Sequence, residues 1–335
     1  MRRRDFIAGT ALMLMLVEAR AQPSASLPRL GWLTPSPPSN DPTPMQNAFR
    51  EALIRLGWVE GKTIQIEHLY ARVASEAETI EARAKEIVAL KPDVIFTGTS
   101  RAVDAVRRAT TTIPIVFFAV NNPLAAGFVS SLANPGGNIT GFANFEPSTV
   151  GKMIALLKEV APATRTVAFM YTRNVNTSSS WRRDWFVSEL VTDETERTYS
   201  VQFKDIPVGD EQEIEHAFEK LGGEQTTAAL ILADNYTDRQ RYLIATSAAR
   251  YRVPTIYPFS FYPSAGGLMS YGNDLAEQAR QAAGYVDRIL RGASPGDLPV
   301  QLPTRYELVI NMKAANALGI TIPPSLLSTA DKVIE

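Results

Sequence analysis

The residues of this chain able to do chemistry stand where short apolar runs end. Thr34 ends the run RLGWLT and Ser36 follows it, Thr99 and Ser100 come just after VIFT, and Asn121 and Asn122 just after PIVFFA, with Asn144 just past ITGF. Later runs end at Tyr171 and Asn174, at Asp234 and Tyr236, and at Tyr257 and Phe259. Hydroxyls, amides and aromatic rings dominate this set; bases and nucleophiles are scarce. Such groups suit the holding of a small molecule, with polar atoms fixing its orientation and rings burying its apolar part. Thr99 and Ser100 open a helix, so their hydroxyls and N–H groups can hold a carboxylate at its positive end; the plain alternative is helix capping. Asp234 can accept an ammonium group or cap the helix that follows it. Tyr236, Tyr257 and Phe259 can wall an apolar ligand or pack a core.

Catalytic arrangements are missing from the pattern. The chain has two histidines, His68 on an alternating strand and His216 on an acidic amphipathic helix, both read as surface or boundary residues. No GxSxG elbow, no GxGxxG after the first strand, no phosphate-loop lysine and no HExxH occurs. With no cysteine there is no disulfide, thiolate metal site or cysteine nucleophile. No catalytic residue, metal ligand or cofactor is expected. An α/β enzyme relying on carboxylates such as Asp234 remains as an alternative, which loss of turnover in Asp234→Asn would support.

Stepping outward, these residues are carried by strands that alternate with helices. Strands are expected at 29–34, 63–70, 94–97 and 114–119, and again at 166–171, 199–204, 230–233 and 255–258, with helices between them. The pattern predicts an α/β fold of two Rossmann-like, doubly wound lobes. A faint repeat supports two similar lobes: 140 residues apart, Pro114 matches Pro254, Pro123 matches Pro263, Ala125 matches Ala265 and Gly127 matches Gly267. Ligands of open parallel sheets bind beyond the carboxyl ends of the strands, which is where the polar residues fall. Their corners are expected to face each other across a cleft.

At 335 residues, with 45% apolar and 21% charged side chains, the chain is long enough for two globular domains. Residues 1–21 hold four basic side chains and two acidic ones, so the net charge of −1 becomes −3 without them. No basic surface is implied, and nucleic acid is not an expected partner. Arg2-Arg3-Arg4, an apolar run over 6–17 and Ala19-Arg20-Ala21 read as a signal peptide, of twin-arginine or ordinary secretory type, cleaved after Ala21. Gln22 is not a lipid-accepting cysteine, so a soluble periplasmic protein is expected.

Colinear blocks carry a family resemblance: LGWVEGKTIQIE, LKPDVIFTGTS, IPIVF, SLANPGGNITGF, IYPF, AGGLMSYG, YVDRILRGASPGDLPVQLPTRYELVIN and ALGITIPPSLL, running from near the start of the mature chain to its end. Together they resemble the ABC-transporter substrate-binding proteins of tryptophan/tyrosine type. The resemblance implies a type I periplasmic-binding-protein fold, with lobes joined by three crossings near 141–145, 262–267 and 298–305. Lobe one would then be 28–142 plus 267–300, and lobe two 145–262 plus 305–335. It also implies a monomeric binder of an aromatic amino acid or related carboxylate that serves an ABC permease in the inner membrane. A sensor presenting its ligand to a membrane receptor is the alternative within the same fold. One departure stands out: the family often has Asp-Pro where this chain has Asn122-Pro123. An amide offers no negative charge to an ammonium group, so that corner argues against an α-amino acid. The segment 173–180 also differs from the family's usual asparagine-proline turn.

Overall fold

A computed structural model describes residues 26–35, 43–71, 76–144, 147–173 and 193–335. The expected signal segment, Ser36, Asn174 and most of the stretch between 171 and 199, where a helix is expected, lie outside the described residues.

The first sheet is built from β1 (Arg29–Thr34), β2 (Gln65–Tyr70), β3 (Val94–Gly98), β4 (Ile115–Val120) and β5 (Ile139–Ala143). These run parallel in the order β2-β1-β3-β4-β5. Helices α1 (Pro44–Arg55), α2 (Glu76–Ala89) and α3 (Ser100–Ala109) supply the connections. Helix α1 starts at a capping box: the Thr43 hydroxyl accepts from the Gln46 N–H at 3.3 Å, and the Gln46 side chain accepts from the Thr43 N–H at 2.8 Å. Successive strand residues bury opposite faces. Val94, Phe96 and Val116 pack with α1 on one side, while Ile95, Ile115 and Phe117 pack with α2 and α3 on the other.

The chain then passes through α4 (Pro147–Val160) into a second sheet. Its elements are β6 (Thr166–Thr172), α5 (Asp193–Tyr199), β7 (Gln202–Val208), α6 (Glu211–Gly222), β8 (Thr227–Ile231), α7 (Asn235–Arg239), α8 (Arg241–Arg250), β9 (Thr255–Tyr257), α9 (Phe261–Ser264) and β10 (Met269–Asn273). Helix α10 (Leu275–Leu290) intervenes before β11 (Tyr306–Asn311), α11 (Met312–Leu318), α12 (Pro324–Thr329) and β12 (Lys332–Ile334). The strand order is β12-β11-β10-β9-β8-β6-β7, parallel except for the β10–β11 pair. The faint repeat has a structural meaning. Pro114 and Pro254 each open a strand, and the carbonyl of each accepts from the strand beside it, from Ile95 N and from Ala229 N, both at 2.8 Å.

One assignment from the sequence is corrected. Residues 267–273 were expected with lobe one, yet β10 pairs with β9 and β11 in the second sheet. The reason lies in the repeat itself: β10 stands beside β9 as β5 stands beside β4, so the chain leaves each lobe only after completing that strand. Both strands carry a glycine set against the preceding backbone. A Cβ on Gly141 would lie 2.0 Å from the Phe117 carbonyl oxygen, and one on Gly272 would lie 1.7 Å from that of Pro258.

The second crossing therefore falls at Asn273-Asp274, and α10 returns to the first lobe. There it packs against α1 and the back of β3, β4 and β5. The Trp58 indole donates to Asp287 at 2.8 Å, and the Gln278 amide donates to the Ala143 carbonyl at 2.5 Å. After a 3₁₀ turn at Pro295–Asp297 the chain lies along β5, with Ala143 N bonded to Gln301 O at 2.8 Å, before it crosses back into β11.

Candidate functional site

The carboxyl ends of the two sheets meet around a cavity of about 190 Å³. Of the residues singled out from the sequence, Thr34, Thr99, Ser100, Asn121, Asn144, Asp234 and Phe259 line it. Four others do not. Asn122 turns its side-chain oxygen to the Ala125 N–H at 2.9 Å, completing a turn. Tyr257 is fully buried and stacked on Tyr262 at 4.7 Å in the core between β9 and its helices. Tyr171 packs against the other core cluster of the second lobe, and Tyr236 lies beside Arg239, half-buried against the Tyr257 cluster. For these rings core packing is what the fold uses: Tyr171 and Tyr257 sit within strands β6 and β9, whose side chains point to a sheet face, and Tyr236 sits on α7 against the same core as Tyr257.

Helix α3 presents its amino end to the cavity. Thr99 precedes it at φ 68° and ψ 145°, makes no side-chain cap, and leaves its buried hydroxyl without a partner. Capping therefore does not explain this residue. A β-branched side chain at positive φ is strained, and Ala119, at φ 53°, lines the same cavity. Ser100, 4% exposed, follows as the first helical residue.

Asp234, by contrast, is spent on local structure. It accepts from the N–H groups of Thr172, Tyr236 and Thr237 at 2.9 Å each and from the Thr172 hydroxyl. Both roles foreseen for it were reasonable, and the N-cap is the one observed.

At the first crossing an amide relay has its polarity set by one carbonyl. Asn121 Nδ2 donates to Ala233 O across the cleft at 3.3 Å, so Asn121 Oδ1 faces Asn144 and accepts from its Nδ2 at 3.2 Å. A carbonyl can only accept, which leaves Asn144 Oδ1 turned away, buried and without a partner.

A second relay stands behind Thr34. The ring of His68 stacks between Trp32, at 4.2 Å, and Tyr70, at 4.1 Å. Its Nδ1 lies 3.4 Å from Arg50 NH2 and 3.0 Å from the Tyr70 hydroxyl, and its Nε2 lies 2.8 Å from Thr34 Oγ1. Guanidinium only donates, so Nδ1 accepts, Nε2 carries the proton, and Thr34 receives it; the Thr34 proton is left free to point into the cavity. Burial, with the Arg50 charge second, lowers the His68 pKa to about 4. His68 is half-buried, a boundary position as read from the sequence, and from there it supports the cleft through Thr34. An unfolded chain takes up this proton below about 6.5, whereas the folded one refuses it until about pH 4. Stability is therefore expected to be full above pH 6.5 and to fall as pH drops from 6.5 towards 4. In His68→Gln, thermal unfolding between pH 7 and pH 4.5 should show a shallower decline.

Several lining residues were not anticipated. Trp32 could have been, since it shares a strand face with Thr34 two residues on. Phe118 and Leu275 reach the cavity from β4 and from the start of α10. Asp238, on α7, looks in sequence like any solvated acid of a short helix. In the structure it lines the cavity and accepts from the Tyr262 hydroxyl at 3.0 Å. Burial, reinforced by the neighbouring Asp234, raises its carboxyl well above the usual range.

Among the described residues, no group of acids and histidines is placed to hold a metal ion, and no helix is long and apolar enough to cross a membrane. The chain is 27% identical over 276 residues to a tyrosine-binding protein of Clostridioides difficile (strain R20291), spanning 82% of this chain and 76% of that one. Its fold is similar to that of an ABC domain from Streptococcus pneumonia in complex with L-Trp, with a TM-score of 0.80, 23% identity and coverage of 92% of this chain and 100% of that one. A conserved domain protein from Vibrio cholerae O1 biovar El Tor is similar too, with a TM-score of 0.79, 26% identity, and 91% and 99% coverage. The α/β fold with its two mainly parallel sheets thus matches that of periplasmic binding proteins. The family model for ABC transporter substrate binding proteins matches residues 41–334, nearly the whole described chain, and the protein belongs to that family.

Proposed function

We propose that the protein is the exported solute-binding component of an ABC importer, holding an aromatic amino acid or related carboxylate between its lobes and passing it to a permease. The observation that carries this reading is the cavity itself: polar atoms from lobe one and from the first crossing, Thr99 Oγ1 and Asn144 Oδ1, converge on it buried and without partners. Leaving such groups unsatisfied costs about 1–3 kcal/mol each, a cost that a bound molecule removes. The cavity, about 190 Å³, is smaller than the roughly 300–1,000 Å³ of drug-sized sites, which suits a metabolite. Trp32, Phe118 and Phe259 supply the apolar walls, and the relatives named for tyrosine and bound to L-Trp support an aromatic ligand.

The two lobes close about the crossings that follow Asn144, at 273–274 and at 301–306 when ligand contacts favour the closed arrangement. Residues 1–21 direct export to the periplasm, and the mature chain begins at Gln22 and works as a monomer. No reaction is catalysed: the site binds and releases.

The test is binding by Thr99→Ala/Ser100→Ala. With the amino end of α3 receiving a carboxylate, affinity for the aromatic amino acid or carboxylate that binds the native protein should fall about ten- to hundredfold, the worth of charge-assisted hydrogen bonds. Unchanged affinity in the double variant would remove the carboxylate from this end of the cleft. Saturable binding with no turnover separates the reading from an enzyme.

A further inference from the structure

We propose that Arg50 and His68, neither of which lines the cavity, are positioning residues that act through Thr34: they hold its hydroxyl proton ready for an anionic oxygen of the bound molecule. The inference rests on the small-molecule reading of the cleft and deepens it, by naming side chains that set a preference for a carboxylate.

The arrangement begins in the sheet. Trp32 and Thr34 of β1 stand opposite His68 and Tyr70 of β2, and alternation puts all four side chains on one face. The rings of Trp32 and Tyr70 lie against that of His68 at 4.2 and 4.1 Å, which fixes the plane of the imidazole. Its two nitrogens therefore have set neighbours. Nε2 meets Thr34 Oγ1 at 2.8 Å, while Nδ1 meets Arg50 NH2 at 3.4 Å and the Tyr70 hydroxyl at 3.0 Å.

Arg50 sets the direction. Its guanidinium is held by Glu60, whose Oε2 lies 2.6 Å from NH1, and by the Trp32 ring, 5.1 Å from Cζ. A guanidinium only donates, so the neutral imidazole presents a bare Nδ1 to it and carries its proton on Nε2. That proton occupies a lone pair of Thr34 Oγ1 and leaves the threonine its own proton to give. The opposite tautomer would set Nδ1–H against a cation and draw the Thr34 proton back to Nε2. Tyr70, whose hydroxyl can donate or accept, follows the direction without setting it. Arg50, His68 and Thr34 are thus donors in series, pointing from a positive charge toward the cleft. Bonds aligned in this way polarise one another, and an anion is the acceptor that completes the series best.

The series ends beside the amino end of α3. Leu33 pairs with Thr97, which places Thr34 next to Gly98 and the start of that helix. Thr34, Thr99 and Ser100 line the cavity together, and the buried Thr99 hydroxyl has no partner. Among the described residues no arginine or lysine lines the cavity, so the charge of Arg50 is delivered there through His68 and Thr34.

The direction is tested on the native protein labelled with nitrogen-15. Long-range proton–nitrogen NMR spectra at pH 7 should show His68 protonated on Nε2 and bare on Nδ1. The signals of the second histidine, the exposed His216, are those that persist in His68→Phe. A His68 proton on Nδ1 overturns the proposal. Calorimetry then compares L-tryptophan and L-tyrosine, each with its primary amide. Thr34→Val should weaken the better-bound amino acid about tenfold or more, the lower end for a hydrogen bond to a charged group, and Thr34→Ser should restore binding. His68→Phe keeps a ring between Trp32 and Tyr70 but removes both nitrogens. In that background Thr34→Val should cost no more than about threefold, the non-additivity of partners in one network. Arg50→Met should narrow the margin of acid over amide, whereas Lys62→Met, which removes an exposed charge of the same lobe, should not. Native-like binding by Thr34→Val, an equal cost of that change in both backgrounds, or an unchanged margin in Arg50→Met overturns the proposal and leaves the cleft reading standing. If neither amino acid binds the native protein, the aromatic ligand class falls and this proposal falls with it.

Discussion

Gly272→Ala is expected to destabilise the protein by about 3 kcal/mol or more, the upper range for overpacking a core. The new Cβ would lie 1.7 Å from the Pro258 carbonyl oxygen and 2.9 Å from its carbon. Those are backbone atoms, unlike the end of a flexible side chain, so β10 itself must move away from β9. The displaced strand pairs with β11 on its other edge and leads directly into the second crossing. A loss of this size lowers the melting temperature by about 6–12 °C for a unit of 150–250 residues. Gly141→Ala should behave alike, since its Cβ meets Phe117 O at 2.0 Å. Gly284→Ala, within α10 and with open space at its Cβ, is the control. It should be neutral or gain up to about 1 kcal/mol from helix propensity. Equal melting of Gly272→Ala and the native protein would mean that β10 does not lie as closely against β9 as described.

Trp32→Ala comes next, with an expected cost of about 3–5 kcal/mol. Trp32 is 1% exposed and joins the cleft to the core of the first lobe. It meets Phe49 edge-on at 4.9 Å, lies 5.6 Å from Phe96 and stacks on His68 at 4.2 Å, with the Arg50 guanidinium over its ring at 5.1 Å. Deleting the indole leaves a cavity under β1 and frees the His68 ring whose Nε2–H holds Thr34. Binding should therefore weaken together with stability, and Trp32→Phe should recover most of the stability but less of the binding. Denaturant unfolding and ligand titration on both variants check this. A Trp32→Ala protein that unfolds at the native midpoint would show that the indole is not packed as described.

How far the site was legible depends on the range of the forces involved. Strand ends could be placed because apolar runs and polar stops are local. That is how Thr34, Thr99, Ser100, Asn121, Asn144, Asp234 and Phe259 were found at the cavity. Tyr257 was misplaced because a ring near a strand end can turn to the core or to the cleft, and the choice depends on the helix packed against it. Here Tyr262 of α9 stacks on it. Asp238 was missed because its sequence neighbourhood is that of a solvated helix; its place at the cavity is fixed by contact with Tyr262 of α9, more than twenty residues on. His68 was placed at the boundary, but its role behind Thr34 was not legible because nothing in its alternating strand reveals that Trp32 and Arg50 meet it.

The sequence by itself determined the alternation of strands and helices, the two-lobe plan and its repeat, and the polar corners at the strand ends, because all of these follow from periodicity and from residues within one turn or strand of each other. Only the tertiary structure decided that β10 completes the second sheet before the chain crosses, that Asp234 is consumed as a cap while Asp238 faces the cleft, and that Asn144 is left with an open acceptor. Each of these depends on which backbone or side chain, more than twenty residues away or on the next element, arrives first to occupy a hydrogen-bonding group, and that competition is settled by packing in three dimensions.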